Sequence, residues 1–391
     1  MPRPAPDPGW TTPPYAVSLH HVLPALIRSL GVDPATGDID WPPPALQIPA
    51  ARAAVVVLVD GLGARQLARR SGHAPYLRCL APLAPEVRSG FPSTTAVSLA
   101  GLGTGVLPGE HGLVGWQVRL PGTDRLLNHL SWDGGPEPTT YQPVPTLLER
   151  AASAGVQVST VSQPAFEGSG LTKAALRGGR FVPARSLAER VRATLGEVTR
   201  SARRGHRALV YLYIGEVDKA GHEHGPDSLR WGETVEEVDA ALAALGAGLP
   251  ANTSLTVTAD HGMVEAPKTL RRDIAHDPVL GEGVALLGGE PRVPYAYCEP
   301  GAVDDVLDRW RTVLGSEALV MSRTEMVETG WLGPVRDDVL PRIGDVVAVL
   351  RGGGTVLDSR RLRPQVLALR GHHGSLTDEE TLIPLLHRAA A

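Results

Sequence analysis

The sequence predicts a doubly wound α/β fold, with a mostly parallel sheet, helices on both faces and a smaller inserted cap, and three observations carry that prediction. Short β-branched runs recur along the chain, helical patterns separate them, and the element pattern changes between residues 266 and 365. Parallel strands need long crossover connections, so alternating strands and helices point to a parallel sheet. At 391 residues and 41.3 kDa, the chain is long enough for one large core carrying an inserted lobe.

Residues 1–49 combine a proline-rich arm, MPRPAPDPGWTTPPY, with an amphipathic stretch, VSLHHVLPALIRSLG, which predicts a short helix packed on the main body. From Ala53 the run AAVVVLVD is apolar and largely β-branched, as a strand buried on both faces requires. The same grammar recurs in VQVSTVS, ALVYLYI and SLTVTAD. Ser186 and Glu189 form a capping-box pattern, and Leu187, Val191, Leu195 and Val198 follow at helical spacing. In the next interval Trp231, Val235, Val238, Leu242 and Leu245 do the same. These elements assign residues 50–265 to the α/β core. Residues 266–365, with breaks at LLGGEPRVP and LRGGGTVLD and a charged, helix-like DDVLDRWRTVL, form the inserted cap, and residues 366–391 return to the core. The cap is expected to set substrate choice, because segments grafted on a rigid scaffold usually carry specificity.

A formal net charge of -4 and a pI near 6.4 provide no basic excess for a nucleic-acid polymer or an anionic membrane surface. Cys79 and Cys298 lack paired spacing, which argues against a disulfide framework or a cysteine zinc site; both are expected to be reduced and buried. The N-terminus lacks the basic start and apolar stretch of a secretory signal, and no apolar run of about 18 residues follows. The expectation is a soluble, cytoplasmic protein with no membrane partner.

Asp60 directly follows a buried strand, and ligands of open α/β sheets gather at the carboxyl ends of strands. Alone it would read as a helix cap or turn residue. A second strand ends in Asp260-His261-Gly262, again placing a hard oxygen and an imidazole at a strand terminus, a pairing suited to zinc, manganese or iron. Asp218 and His222 are spaced to share one face if their segment is helical, although a single pair of this kind also fits a solvated helix end. In Gly371-His372-His373-Gly374 the glycines permit close backbone approach around a histidine. Ser93, Thr94 and Thr95 precede a predicted helix, where a hydroxyl serves either as an ordinary cap or as a nucleophile facing an anion.

Together VLVDGLG, FPSTTAVSLAGLGTGVLPGEHGLVGW, YIGEVDKAGHEHGP, VTADHGM and GHHGSLT resemble the alkaline phosphatase superfamily, in its nucleotide pyrophosphatase/phosphodiesterase branch. The resemblance runs from about residue 53 to the C-terminus outside the cap. It implies an alkaline phosphatase-like fold and two divalent metal ions, zinc with manganese as the alternative. Asp218, His222 and His373 would hold one ion; Asp60, Asp260 and His261 would hold the other together with the nucleophile. That nucleophile falls by position on Thr95, with Thr94 the runner-up. The resemblance further implies in-line attack on a small-molecule phosphate ester or nucleotide, through a phospho-threonine intermediate, with no organic cofactor and no nucleic-acid polymer as partner.

The chain departs from the branch at Ser98 and Trp116, where asparagines are usual. The second asparagine donates to a non-bridging phosphate oxygen, and losing such a donor costs on the order of 2.7–4 kcal/mol. Gln117, Ser98 or a backbone amide are the candidates to replace it. The leading expectation is a metal-dependent phosphodiesterase or nucleotide pyrophosphatase. A phosphomonoesterase or phosphonate hydrolase comes next, and a metal-retaining binding protein without turnover is the distant alternative. The absence of a C-x-P-x-R motif argues against a sulfatase.

Overall fold

The computed structural model describes residues 12–13, 15–32 and 45–390. Most of the proline-rich arm lies outside the described residues. The amphipathic stretch after it forms a helical turn, Leu19–His21, continuing into the helix Val22–Ser29, whose Val22, Leu23, Leu26 and Ile27 are fully buried.

A seven-stranded sheet forms the centre of the molecule. Its middle strand, Ala53–Val59, is buried at every residue and lies parallel to Ala208–Ile214 on one side and Thr253–Thr258 on the other. Beyond Ala208–Ile214 come Gln157–Ser162 and Arg180–Pro183, also parallel. On the opposite edge Leu385–Arg388 pairs antiparallel with Thr253–Thr258 and is bordered by Ala81–Pro82. Each aliphatic side chain fully buried on these strands contributes about 1.5–3 kcal/mol, which favours near-continuous apolar runs.

Two groups of helices pack around the sheet. One contains Leu187–Arg203, whose Ser186 and Glu189 make the reciprocal capping box, and Leu229–Gly248. The other gathers Val22–Ser29, Thr95–Thr104 and Leu147–Ser153.

A second, six-stranded antiparallel sheet runs in the order Ala318–Ser322, Val346–Leu350, Val293–Cys298, Val284–Glu290, Gln117–Arg119 and Leu126–Asn128. It therefore draws two short strands from residues 117–128 as well as four from residues 284–350. The helix Val303–Leu314 lays Val306, Leu307, Trp310 and Leu314 against it. The hairpin joining Val284–Glu290 to Val293–Cys298 turns at Pro291-Arg292, and its tip reaches the main body.

One sequence expectation fails here: Cys298 is buried but Cys79 is exposed. Cys79 ends a single helical turn, Leu77–Cys79, that commits Leu77 to the core and leaves the last residue facing outward. Among the described residues no helix is long and apolar enough to cross a membrane.

Candidate metal centre

Three neighbouring strands end in register, and each delivers a carboxylate from its carboxyl end. Val59 lies opposite Ile214, and Leu58 opposite Thr258, so Asp60, Asp218 and Asp260 emerge side by side. Asp218 sits in the first turn of the helix Glu216–His224 and His222 in its last turn, with His222 Nε2 3.4 Å from Asp218 Oδ1. Gly61 has φ +72°, and a Cβ there would approach the Asp218 backbone to 2.7 Å, so only glycine lets the two loops meet this closely.

The histidines share one arrangement. His222 Nδ1 lies 2.7 Å from the Gly371 carbonyl, His261 Nδ1 3.0 Å from that of Gly262, and His373 Nδ1 2.9 Å from that of Ser93. A carbonyl only accepts, so each Nδ1 carries the proton and each Nε2 presents a lone pair, the tautomer that binds a metal ion. Those nitrogens face the carboxylates: His261 Nε2 is 3.5 Å from both Asp60 Oδ1 and Asp260 Oδ2, and His373 Nε2 is 3.9 Å from Asp218 Oδ1. The His261 and His373 rings stack at 3.6 Å.

Asp60 Oδ1, Asp218 Oδ1 and Asp260 Oδ2 are buried without any hydrogen-bond partner. Their other contacts hold them in place: Tyr213 Oη donates to Asp60 Oδ2, and Asp260 Oδ1 accepts from the backbone N–H groups of Gly61 and His261 at 3.1 and 3.0 Å. Burial and repulsion from Asp260 and Asp218 raise the Asp60 carboxyl well above its usual range, and burial raises Asp260. His373 is pushed well below the usual imidazole range by burial first and then by its neighbours His261, His222 and His372. Among the described residues no lysine or arginine pairs with these carboxylates. A buried cluster of oxygen and imidazole donors with no cation beside it fits divalent metal ions. Two overlapping sets, Asp218–His222–His373 and Asp60–Asp218–His261, have their ligand atoms within 4.8 Å of one another, and Asp260 borders the second.

Thr95 opens the helix Thr95–Thr104 and places Oγ1 3.2 Å from His261 Nε2. Thr94 occupies the cap position without a side-chain capping bond, so the helix start keeps backbone N–H groups for another acceptor. Asp60, Thr95 and Asp218 also border a cleft of about 180 Å³ walled by Leu130, Phe166, Phe181 and Tyr213.

All seven residues expected from the sequence are thus brought together. Ser98 is not free to contact a ligand, because its hydroxyl donates to the Asp260 carbonyl at 2.8 Å. Trp116 keeps a buried Nε1–H without a partner. Sequence reasoning missed Tyr213, which stands next to the last residue of its strand, a usable signal.

Residues 54–376 match the family model described as type I phosphodiesterase / nucleotide pyrophosphatase. A stretch of 65 residues is 38% identical to ectonucleotide pyrophosphatase/phosphodiesterase family member 7 of Homo sapiens, covering 15% of this chain and 14% of that relative's length. The fold resembles murine ectonucleotide pyrophosphatase/phosphodiesterase 5, with TM-score 0.69 and 22% identity over 85% of this chain and 87% of the other; an inactive form of that protein has been solved in complex with AMP. It also resembles phosphonoacetate hydrolase from Sinorhizobium meliloti 1021 in complex with phosphonoacetate, with TM-score 0.65 and 20% identity over 90% of this chain and 94% of that one.

Proposed function

The chain belongs to the type I phosphodiesterase / nucleotide pyrophosphatase family, and on that premise we propose that it hydrolyses small phosphate esters, as a phosphodiesterase or nucleotide pyrophosphatase, with Thr95 as nucleophile. The observation that carries the reading is the trio of buried, partnerless carboxylate oxygens on Asp60, Asp218 and Asp260, facing three imidazole lone pairs beside a hydroxyl at a helix N-terminus.

Asp218, His222 and His373 would hold one divalent ion, and Asp60, Asp260, His261 and Thr95 the other, zinc with manganese as the alternative. When bound, such ions lower the pKa of a hydroxyl and of water and stabilise a departing oxygen. The helix start receives the phosphoryl group through its free N–H donors. Thr95 Oγ1 attacks phosphorus in line, the bond to the leaving oxygen breaks, and water then cleaves the phospho-threonine to regenerate the hydroxyl. Tyr213 fixes the orientation of Asp60 throughout. The organic part of the substrate occupies the cleft walled by Phe166, Phe181 and Tyr213.

A phosphomonoesterase or phosphonate hydrolase is the second reading, favoured by Trp116 and by the commitment of Ser98 to Asp260. We assign residues 266–365 as the cap that sets this choice, together with the strands at 117–128 that complete its sheet. Both cysteines are free thiols, which suits the reducing cytoplasm we propose as its location.

The test is turnover of aryl phosphate diesters, monoesters and phosphonates with added zinc or manganese. Chelator-sensitive hydrolysis of the diester above the other two is expected. Preference for a monoester or phosphonate would select the second reading, and no turnover by fully metal-loaded protein would leave a binding protein.

A further inference from the structure

Asp60, Thr95 and Asp218 share their cleft with Thr160 and Tyr211, which stand opposite each other on the parallel strands Gln157–Ser162 and Ala208–Ile214. Ser162 and Tyr213, two residues further along the same strands, line it as well. Side chains two residues apart share a face of a sheet, so Thr160 and Tyr211 lie one repeat, about 6–7 Å, below the level at which Tyr213 holds Asp60. Both are buried, at 3% and 1% exposure, and neither hydroxyl has a hydrogen-bond partner. The neighbouring walls are apolar, with Leu99, Leu171, Leu176 and Phe181, and among the described residues no lysine or arginine lines the cleft. A buried hydroxyl without a partner is costly, and two of them side by side at the reaction centre's own cleft mark a place for a ligand's polar group.

We infer that Thr160 and Tyr211 determine substrate specificity, by hydrogen-bonding to an uncharged polar group at the inner end of the substrate's organic part. The favoured substrates are then phosphate esters whose organic group has the length of one para-substituted ring and ends in a hydroxyl, carbonyl or amide. A carboxylate or ammonium at that end would be buried without a counter-charge and is selected against. The inference rests on the proposed phosphoryl chemistry at Thr95 and adds two residues of the central sheet that are not candidate metal ligands.

Calorimetric binding of phenylphosphonate, 4-hydroxyphenylphosphonate and 4-carboxyphenylphosphonate to the zinc-loaded protein tests it, in wild type and in the double variant Thr160→Val, Tyr211→Phe. The double variant removes the two partnerless hydroxyls and little else, so its fold is expected to hold. In wild type the 4-hydroxyl should tighten binding by about 3- to 10-fold, the range for a hydrogen bond between uncharged groups, and the 4-carboxylate should weaken it. In the double variant the gain from the 4-hydroxyl should vanish, with phenylphosphonate itself within about threefold of wild type. No gain in wild type, a gain that survives in the double variant, or tightest binding of the 4-carboxylate would overturn the assignment. Turnover in parallel separates the two claims: an active wild type that gains nothing from the hydroxyl defeats only this inference, whereas a gain that depends on Thr160 and Tyr211, without turnover, supports it and defeats the hydrolase reading.

Discussion

Two clusters of buried charge lie close together in this molecule and are built on opposite principles. Arg292 and Glu380 are fully buried, joined by two hydrogen bonds of 3.0 and 2.8 Å, and every remaining demand is met. Glu380 accepts from the Ser375 N–H and the Thr377 hydroxyl, while Arg292 donates to the Gly354 carbonyl at 2.6 Å. At the metal centre, three carboxylates and three imidazole lone pairs converge with no cation among the described residues to balance them. The first cluster is saturated and clamps the second sheet to the C-terminal segment. The second is unsaturated among the described residues and stays open to a ligand. A buried charge network is evidence for structure when its hydrogen-bonding capacity is filled, and for a ligand when it is not.

The sharpest break in that comparison is Thr95→Ala. It is expected to lower turnover by at least about a thousandfold while leaving metal content and melting temperature unchanged, because it removes the proposed nucleophile and leaves the six other candidate ligands in place. Thr95→Ser should retain partial activity, and Thr94→Ala is the control. Equal loss at Thr94 with retention at Thr95 would move the nucleophile by one residue.

Opening the saturated cluster should do the reverse. Glu380→Ala leaves a buried guanidinium unpaired and is expected to cost about 3–5 kcal/mol in urea unfolding, with metal stoichiometry per folded molecule unchanged. A variant that keeps its stability but loses metal would contradict the separation of the two clusters.

A smaller effect, opposite in sign, is expected from Asp60→Asn in chelator. Removing a buried, repelled carboxyl should stabilise the metal-free protein by about 1–3 kcal/mol while weakening metal binding. The raised Asp60 value means that the folded state binds more protons, so the chelated wild type loses stability as pH rises from the ordinary carboxylate range through that value. Asp60→Asn should flatten this slope, and thermal melts across pH would show whether it does.

The smallest effect belongs to a pair that is closed but not buried. Arg311 and Glu325 meet at 2.8 Å with both side chains 41% exposed, and Arg311→Ala should cost below about 1 kcal/mol.

The central sheet was legible because strands such as Ala53–Val59 are buried on both faces and therefore apolar at every residue. The candidate metal ligands stood out in the sequence because Asp60, Asp218 and Asp260-His261 fall at or just after strand ends, and the structure brings them together. What escaped was long-range pairing. Gln117–Arg119 joins the second sheet through a single matched pair with Gly289, a contact that no local pattern announces. Cys79 was misplaced because a single helical turn carries too little periodicity to say which residue faces outward.

The most direct test of the unsaturated centre is elemental analysis of protein purified without added metal or chelator, followed by titration with zinc. Close to two divalent ions per chain, removed by chelation together with activity and restored by zinc or manganese, is the predicted result. A protein with no bound metal, no uptake on titration and full activity in chelator would contradict it.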